Sequence, residues 1–294
     1  MPQLAHGGLQ SSYRRDGSLV YQAKSMKLWA ISDLHLGSDV NRRAVEAMAP
    51  KPEDWLILAG DLGDSLAQLE LAFELLAPRF ERLIWVPGNH ELWTERGPRH
   101  GERGVARYEA LVGLARARGV LTPEDPYQLW PGAGPRTVIA PLLLLYDYSF
   151  RPEEVPRERV LDWAAEAGIF ASDERRLHKD PYDGIEEWCA ARLALTERRL
   201  AAIPADVATV LVNHYPLRAE DVTLPRKPRY APWCGTRATA LWHRRFRARA
   251  VVYGHLHVRA SRFAEGVHFQ EVSLGYPRQW DQTSPADAYL RRIL

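Results

Sequence analysis

Apolar residues in this chain gather in short unbroken runs rather than in strict alternation. Lys27–Ser32 (KLWAIS), Asp54–Ala59 (DWLILA), Arg82–Val86 (RLIWV), Thr137–Leu145, Thr209–Val212 (TVLV) and Ala250–Tyr253 (AVVY) have strand length and end in small or polar residues. Runs that are apolar at every position predict strands covered on both faces of a sheet. Between them, Asn41–Met48, Ser65–Phe80, Val105–Arg118 and Ile185–Ala202 carry the period of amphipathic helices. This alternation predicts an α/β layered fold. Residues 1–25 show no sustained periodicity, and Met26-Lys27 directly precedes the first strong strand. They read as a flexible N-terminal extension, with residues 26–294 as one domain. Two stretches inside that domain, 146–184 and 216–234, are irregular and rich in Pro, aromatics or charge. Loops of that length in a compact domain usually carry function.

Composition narrows the classes. The 294 residues hold 39 Lys+Arg against 37 Asp+Glu, a net charge of +2 that does not point to a nucleic-acid polymer or a membrane as partner. Only five of the basic residues are Lys, a skew that reads as compositional habit rather than phosphate binding. Cys189 and Cys234 cannot build a disulfide framework and read as structural thiols. A reducing cytoplasm is therefore expected. The longest apolar run, Val138 to Leu145, contains a proline and is too short to span a bilayer. No signal-peptide apolar segment is evident at the N-terminus.

Metal-capable side chains fall at the ends of the apolar runs. The first run leads into Asp33-Leu34-His35, the second into Gly60-Asp61 and the third into Gly88-Asn89-His90-Glu91. Later runs end in Asn213-His214 and in Gly254-His255-Leu256-His257. Ligands at i and i+2 on an extended segment point to the same side. Asp33 to Asp61 and Asp61 to Asn89 are each 28 residues, about one βαβ unit. Successive parallel strands then bring these groups to one sheet edge, where α/β sheets bind ligands. The glycines before Asp61, Asn89 and His255 allow close backbone approach. One such dipeptide is commonplace; five in order, each after a strand-like run, are not.

The series DLH, GD, GNHE, NH and GHLH resembles the calcineurin-like metallophosphoesterase superfamily, from Lys27 to about Pro277. The resemblance implies a four-layer αββα sandwich with a binuclear metal site at the strand carboxyl ends. It implies that Asp33, His35 and His257 bind one ion, that Asp61 bridges both, and that Asn89, His214 and His255 bind the second. His90 would sit beside the site without ligating. Imidazole, carboxylate and amide donors suit Mn²⁺ or Fe, with Zn²⁺ as a further option, rather than Ca²⁺. Two such ions can supply hydroxide at neutral pH and clamp an in-line displacement at phosphorus. Catalysis then rests on Asp61 and on His90, the latter protonating the leaving oxygen or stabilising charge on the phosphoryl group. Glu91 either holds a ligand imidazole or is a solvated surface residue. His6, His100, His178, His243 and His268 lack such contexts.

Four further stretches are similar to one actinobacterial branch of the superfamily, the phosphopantetheinyl hydrolases. They are WVPGNHELW (Trp85–Trp93), LLYDYSF (Leu144–Phe150), PWCGT (Pro232–Thr236) and EVSLGYPRQW (Glu271–Trp280). That branch removes 4′-phosphopantetheine from the serine of holo acyl carrier protein, which makes the carrier protein the implied partner. The chain ends 14 residues after Trp280, short of a longer C-terminal segment associated with the branch. Tyr146, Asp147, Tyr148 and Trp233 are candidate walls of a substrate cleft, with aromatic core packing as the other reading. Two Arg runs are candidate docking patches for an acidic partner: Arg96, Arg99, Arg103 and Arg107, and Arg244, Arg245, Arg247 and Arg249. The alternatives are a phosphodiesterase or phosphatase for a small metabolite or nucleotide, and a non-catalytic scaffold of the same fold.

Overall fold

Where each apolar run turns polar, the backbone leaves its strand. The structure is a computed structural model that describes residues 10–13, 19–22, 26–94 and 102–294. In chain order its elements begin with β1 (Gln10–Tyr13), β2 (Leu19–Gln22), β3 (Leu28–Ile31), α1 (Asp39–Glu46), β4 (Lys51–Leu58) and α2 (Leu66–Leu76). Next come β5 (Phe80–Trp85), α3 (Asn89–Leu92), α4 (Gly104–Ala117), β6 (Gln128–Leu129), β7 (Thr137–Pro141), α5 (Val160–Ala165) and α6 (Asp173–Arg176). The last are α7 (Ile185–Ala201), β8 (Ala208–Val212), α8 (Trp242–Arg245), β9 (Ala248–Tyr253), β10 (Ala260–Ala264), β11 (Val267–Glu271) and β12 (Arg291–Arg292).

Among the described residues β3, β4 and β5 run parallel, with β12 antiparallel on β3, in a four-stranded sheet of order β12-β3-β4-β5. A six-stranded sheet of order β10-β11-β9-β8-β7-β6 is parallel except for its two edge strands. β1 and β2 form a separate antiparallel pair. The sheets face one another across Leu28, Ala30, Ile57 and Ile84 on one side and Ile139, Val210 and Val252 on the other. Outside the first sheet, Ile31, Leu56, Leu58 and Trp85 are covered by Val45, Phe73, Leu76 and Leu111. Outside the second, Leu211, Val251 and Phe269 are covered by Leu200, Trp242 and Phe246. Helix, sheet, sheet, helix is the αββα sandwich. Full burial of each such aliphatic side chain contributes roughly 1.5–3 kcal/mol, which explains runs apolar at every position.

Two predicted boundaries are corrected. The run Thr137–Leu145 leaves the ladder at Pro141, because the Asn213 side chain takes over: Leu144 N–H donates to Asn213 Oδ1 at 2.9 Å. The helix expected to reach Phe80 ends at Leu76, where Ala77–Arg79 tightens into a 3₁₀ turn around Pro78 and Phe80 opens β5. Its start follows the sequence, with Ser65 Oγ accepting from Gln68 N–H at 3.2 Å. The irregular segment 146–184 contains α5 and α6, and 216–234 contains 3₁₀ turns at Ala219–Asp221 and Pro228–Trp233. Apart from β1 and β2, the expectation of a flexible extension over 1–25 lies outside the described residues. No helix of the described residues is long and apolar enough to cross a membrane.

Candidate metal centre

The carboxyl ends of β3, β4, β5, β8 and β9 share one rim, and the five polar blocks meet there. The rim is pinned beyond the strands: Asp33 N–H donates to Gly60 O at 2.8 Å, His35 N–H to Asp61 O at 3.1 Å and Gly254 N–H to His214 O at 2.9 Å. Ser32 bridges Ser273 in parallel, so the edges of the two sheets touch at the site. The i, i+2 pairs do converge, but not through extended backbone. Asp33, His35, Asp61, His255 and His257 have φ of 54°, 42°, 55°, 72° and 53°. Left-handed backbone at non-Gly residues costs on the order of 1–3 kcal/mol each and clusters at functional sites. The chain curls as it leaves each strand, and that curl turns both side chains inward.

Two glycines make the approach possible. A Cβ on Gly88 would lie 2.0 Å from Asp61 Oδ1, and one on Gly254 would lie 2.3 Å from both Asp33 Oδ2 and Ser32 Oγ. No larger residue fits either position.

The donor atoms fall into three groups among the described residues: His35, Asp64 and His90 form one, and the other two share Asp61. Of these two, the first comprises Asp33, His35, Asp61 and His257, the second Asp61, His214 and His255, and within each group the atoms lie within 4.8 Å of one another. In the first, His257 Nε2 is 2.9 Å from Asp33 Oδ1 and 3.2 Å from His35 Nε2. In the second, His214 Nε2 lies 3.4 Å from Asp61 Oδ2. Asn89 Oδ1, His214 Nε2 and His255 Nε2 are buried without a hydrogen bond from the chain. An orphaned lone pair in a dry site is costly unless something outside the chain satisfies it. These three atoms and the shared carboxylate fit a pair of metal ions.

Surrounding groups fix which atom of each donor faces inward. Asp33 Oδ2 accepts from Ser32 Oγ at 2.5 Å, Ser273 Oγ at 2.7 Å and His255 N–H at 3.1 Å, leaving Oδ1 toward the site. His257 Nδ1 donates to Gln279 Oε1 at 2.8 Å and His214 Nδ1 donates to Ala59 O at 2.8 Å. Both rings thus present Nε2 as the lone pair, the usual outer-shell control of a ligand imidazole. Asn89 Nδ2 donates to Asp173 Oδ1 at 2.9 Å, which aims Asn89 Oδ1 inward.

Electrostatics follow from burial and from two carboxylates among imidazoles. Burial works against charge on Asp61, but His214 and His90 outweigh it and hold the carboxyl well below its usual range. Burial likewise resists charge on His214, yet Asp61 and Asp33 raise it to about 10. His255 is held down to about 3 by burial with His214 beside it, and His35 to about 4 by burial against the pull of Asp61. The two buried carboxylates thus favour positive charge at the site.

His90 stands beside the two groups that share Asp61. Its backbone N–H donates to Asp61 Oδ1 at 3.0 Å, its Nε2 lies 3.7 Å from Asp61 Oδ2, and its ring packs on Trp93 at 3.7 Å between centroids. Its Nδ1 is 2.7 Å from Asp64 Oδ1. Burial opposes protonation, but Asp61 and Asp64 raise His90 to about 9. Sequence reasoning missed Asp64, although its place three residues after Asp61 was a usable signal. It also missed Ser273 and Gln279, inside a stretch singled out only for similarity, and Asp173, for which no local signal exists.

Several expectations are corrected here. Glu91 is neither on the surface nor on an imidazole: it is 1% exposed and accepts from the backbone N–H of Asp61, Leu62 and Gly88 at 3.0, 2.6 and 2.8 Å. It splints the exits of β4 and β5 together, and burial with Asp61 nearby pushes its carboxyl up to about 7. Tyr146, Tyr148 and Trp233 form no open cleft wall, being 2%, 4% and 1% exposed within the core. Tyr148 and Trp233 donate to Glu174, while Asp147 accepts from Ser149 N–H and Thr236 Oγ, so their polar atoms are committed internally. The visible aromatic rim is different: Tyr276 stacks on His35 at 4.2 Å, and Tyr230 lies over His255 at 5.8 Å. Arg107 is buried and donates to Glu91 O, and Arg103 pairs with Asp180. Arg96 and Arg99 lie outside the described residues. Arg244, Arg245, Arg247 and Arg249 sit at the start of β9, the end of the strand away from His255. Arg244 and Arg245 pair with Glu265 and Glu197. Cys189 and Cys234 are buried free thiols.

Comparison with known proteins agrees with this geometry. The family model for Calcineurin-like phosphoesterase matches residues 26–259. The chain is 43% identical over 269 residues to "[Acyl-carrier-protein] phosphodiesterase PptH" of Mycobacterium tuberculosis, an alignment covering 91% of this chain and 83% of that protein. The crystal structure of phosphopantetheinyl hydrolase (PptH) from Mycobacterium tuberculosis superposes with a TM-score of 0.88 at 42% identity, over 93% of this chain and 97% of that one.

Proposed function

This chain belongs to the calcineurin-like phosphoesterase family, a hydrolase of phosphoric esters, and from that premise we propose that it cleaves the phosphodiester joining 4′-phosphopantetheine to the serine of holo acyl carrier protein. The observation that carries the reading is the pairing of 43% identity across 91% of the chain with a complete set of converging donors. The structural match to that relative extends over 93% of this chain.

Asp33, His35 and His257 would hold one ion, Asn89, His214 and His255 the second, with Asp61 between them. The donor chemistry suits Mn²⁺, Fe or Zn²⁺, and we assign Mn²⁺ or Fe as the working pair. When bound, two ions supply a hydroxide at neutral pH and neutralise the phosphodiester oxygens. The remaining work belongs to the chain. Asp61 and Asp33 place negative charge where cations must sit, and Ser32, Ser273 and Gln279 keep Asp33 and His257 in one orientation. His90, raised to about 9 by Asp61 and Asp64, would donate a proton to the leaving serine oxygen. Tyr276 and Tyr230 flank the imidazoles and offer aromatic faces to a bound substrate. Free, buried thiols fit a reducing compartment, and we place the reaction in the cytoplasm.

A substrate panel tests the reading. With Mn²⁺ present, kcat/KM for holo-carrier protein should exceed that for cyclic nucleotides, nucleoside monophosphates and sugar phosphates by at least about 100-fold, a difference of roughly 2.7 kcal/mol in transition-state binding. Preference for any of the small esters would replace the carrier protein with a metabolite.

A further inference from the structure

We propose that Asp173, on α6 of the irregular segment, is a positioning residue that fixes the Asn89 amide so that its oxygen faces the second ion. The inference rests on the two-ion reading and adds to it a residue from outside the five motif blocks.

Asp173 lies 84 residues from Asn89 in sequence and is buried. Its Oδ1 accepts twice, from Asn89 Nδ2 at 2.9 Å and from Trp93 Nε1 at 2.7 Å. The two ends of an asparagine amide have nearly the same shape, so packing alone cannot choose between them. A carboxylate only accepts, so it selects the NH₂ end and turns Oδ1 the other way. That Oδ1 is buried and has no protein partner. The reverse orientation would face Asp173 with a second acceptor and present the site with N–H groups, which cannot ligate a cation.

The segment is tied to the strand-end block in three further ways. Thr94 N–H donates to Arg176 O at 2.9 Å, Trp93 bridges Leu177 in antiparallel fashion, and the Arg176 guanidinium lies 4.3 Å over the Trp93 ring. These contacts already secure the segment. A carboxylate is costly to bury, and an amide of the same size would fill the space with less desolvation. Asp173 Oδ2 is itself buried and unpartnered, so full hydrogen bonding within the chain is not what the charge achieves. What the side chain supplies to Asn89 is an acceptor, and an acceptor selects the NH₂ end of that amide.

The test is metal content per chain, measured by plasma emission after equilibration with buffered Mn²⁺ over a range of free concentrations. Wild type should bind two ions. Asp173→Leu removes the acceptor and should weaken the second by roughly 10–100-fold, the usual cost of an outer-shell partner, with the first unchanged. Asp173→Asn keeps the acceptor, because Trp93 Nε1 holds the amide oxygen where the carboxylate oxygen stood, facing Asn89 Nδ2. Asp173→Asn should therefore retain the second ion; Leu and Asn are of similar size, so loss in one and not the other is a result that a role in packing alone would not produce. Unchanged second-ion affinity in Asp173→Leu overturns the proposal, as does a loss in Asp173→Asn as large as in Asp173→Leu. If Asp173→Leu does not fold by near-ultraviolet circular dichroism, Asp173→Ala takes its place with the same two outcomes. A wild-type chain that binds one ion overturns the two-ion reading, and this inference with it.

Discussion

Asp64 Oδ1 lies 2.7 Å from Nδ1 of His90, whose Nε2 is turned toward the shared carboxylate of Asp61. Asp64 orients the imidazole and, with Asp61, raises it to about 9, the direction a general acid for an alkoxide leaving group requires. His90→Ala should slow hydrolysis of the serine phosphodiester by about 10²–10⁴-fold, while bis-p-nitrophenyl phosphate, whose nitrophenolate leaves unprotonated, loses far less. Asp64→Asn should follow the same substrate dependence with a smaller loss. Equal losses on both esters would assign His90 an electrostatic or structural part instead.

Asp61 belongs to two of the donor groups. Asp61→Asn should therefore lower kcat by more than about 100-fold, exceeding the 10–100-fold typical of an outer-shell change. It should lower the affinity for both ions together, read by chelator competition. Loss of one ion with the other intact would contradict a shared carboxylate.

Gln279 and Ser273 touch donors without being donors: Gln279 accepts from His257 Nδ1, and Ser273 donates to Asp33 Oδ2. Gln279→Ala and Ser273→Ala should each weaken the first ion by roughly 10–100-fold, with kcat at saturating metal reduced much less. Direct metal titration separates this from a loss in the second group, which neither residue contacts.

Gly88 has Asp61 Oδ1 2.0 Å from where a Cβ would stand. Gly88→Ala must move the exit of β5 or the carboxylate, and the Glu91 splint on Gly88, Asp61 and Leu62 resists the first. The variant should lose more than about 3 kcal/mol of stability, in the severe range for a single substitution. Urea denaturation at fixed metal measures it, and a shift below about 1 kcal/mol would show that the exits are looser than drawn.

Much of the centre was legible because each donor follows an apolar run, and runs covered on both faces reveal their strand ends. Asp33, His35, His255 and His257 stand at an i, i+2 spacing that suits an extended strand, a geometry the molecule does not use; left-handed backbone brings them together instead. Glu91 was visible as a motif residue but not as a backbone splint, because its partners come from two different strand exits. Asp173 was invisible, since only the tertiary fold carries it to Asn89. The Arg244–Arg249 run looked close to His255 along the chain, but β9 separates them by about 20 Å at about 3.3 Å per residue. Charge reversal at Arg245 and Arg249 is accordingly expected to leave kcat/KM for holo-carrier protein unchanged, even at low salt, where steering is strongest.

Which bond the enzyme breaks is the most direct question. Holo-carrier protein incubated with the Mn²⁺-loaded enzyme in H₂¹⁸O can be followed by intact-mass spectrometry of both products. The expected result is carrier protein with an unmodified serine and free 4′-phosphopantetheine carrying one ¹⁸O on its phosphate. Phosphoserine left on the carrier, label absent from the released phosphate, or a carrier mass that never changes while a small diester is consumed would each contradict it.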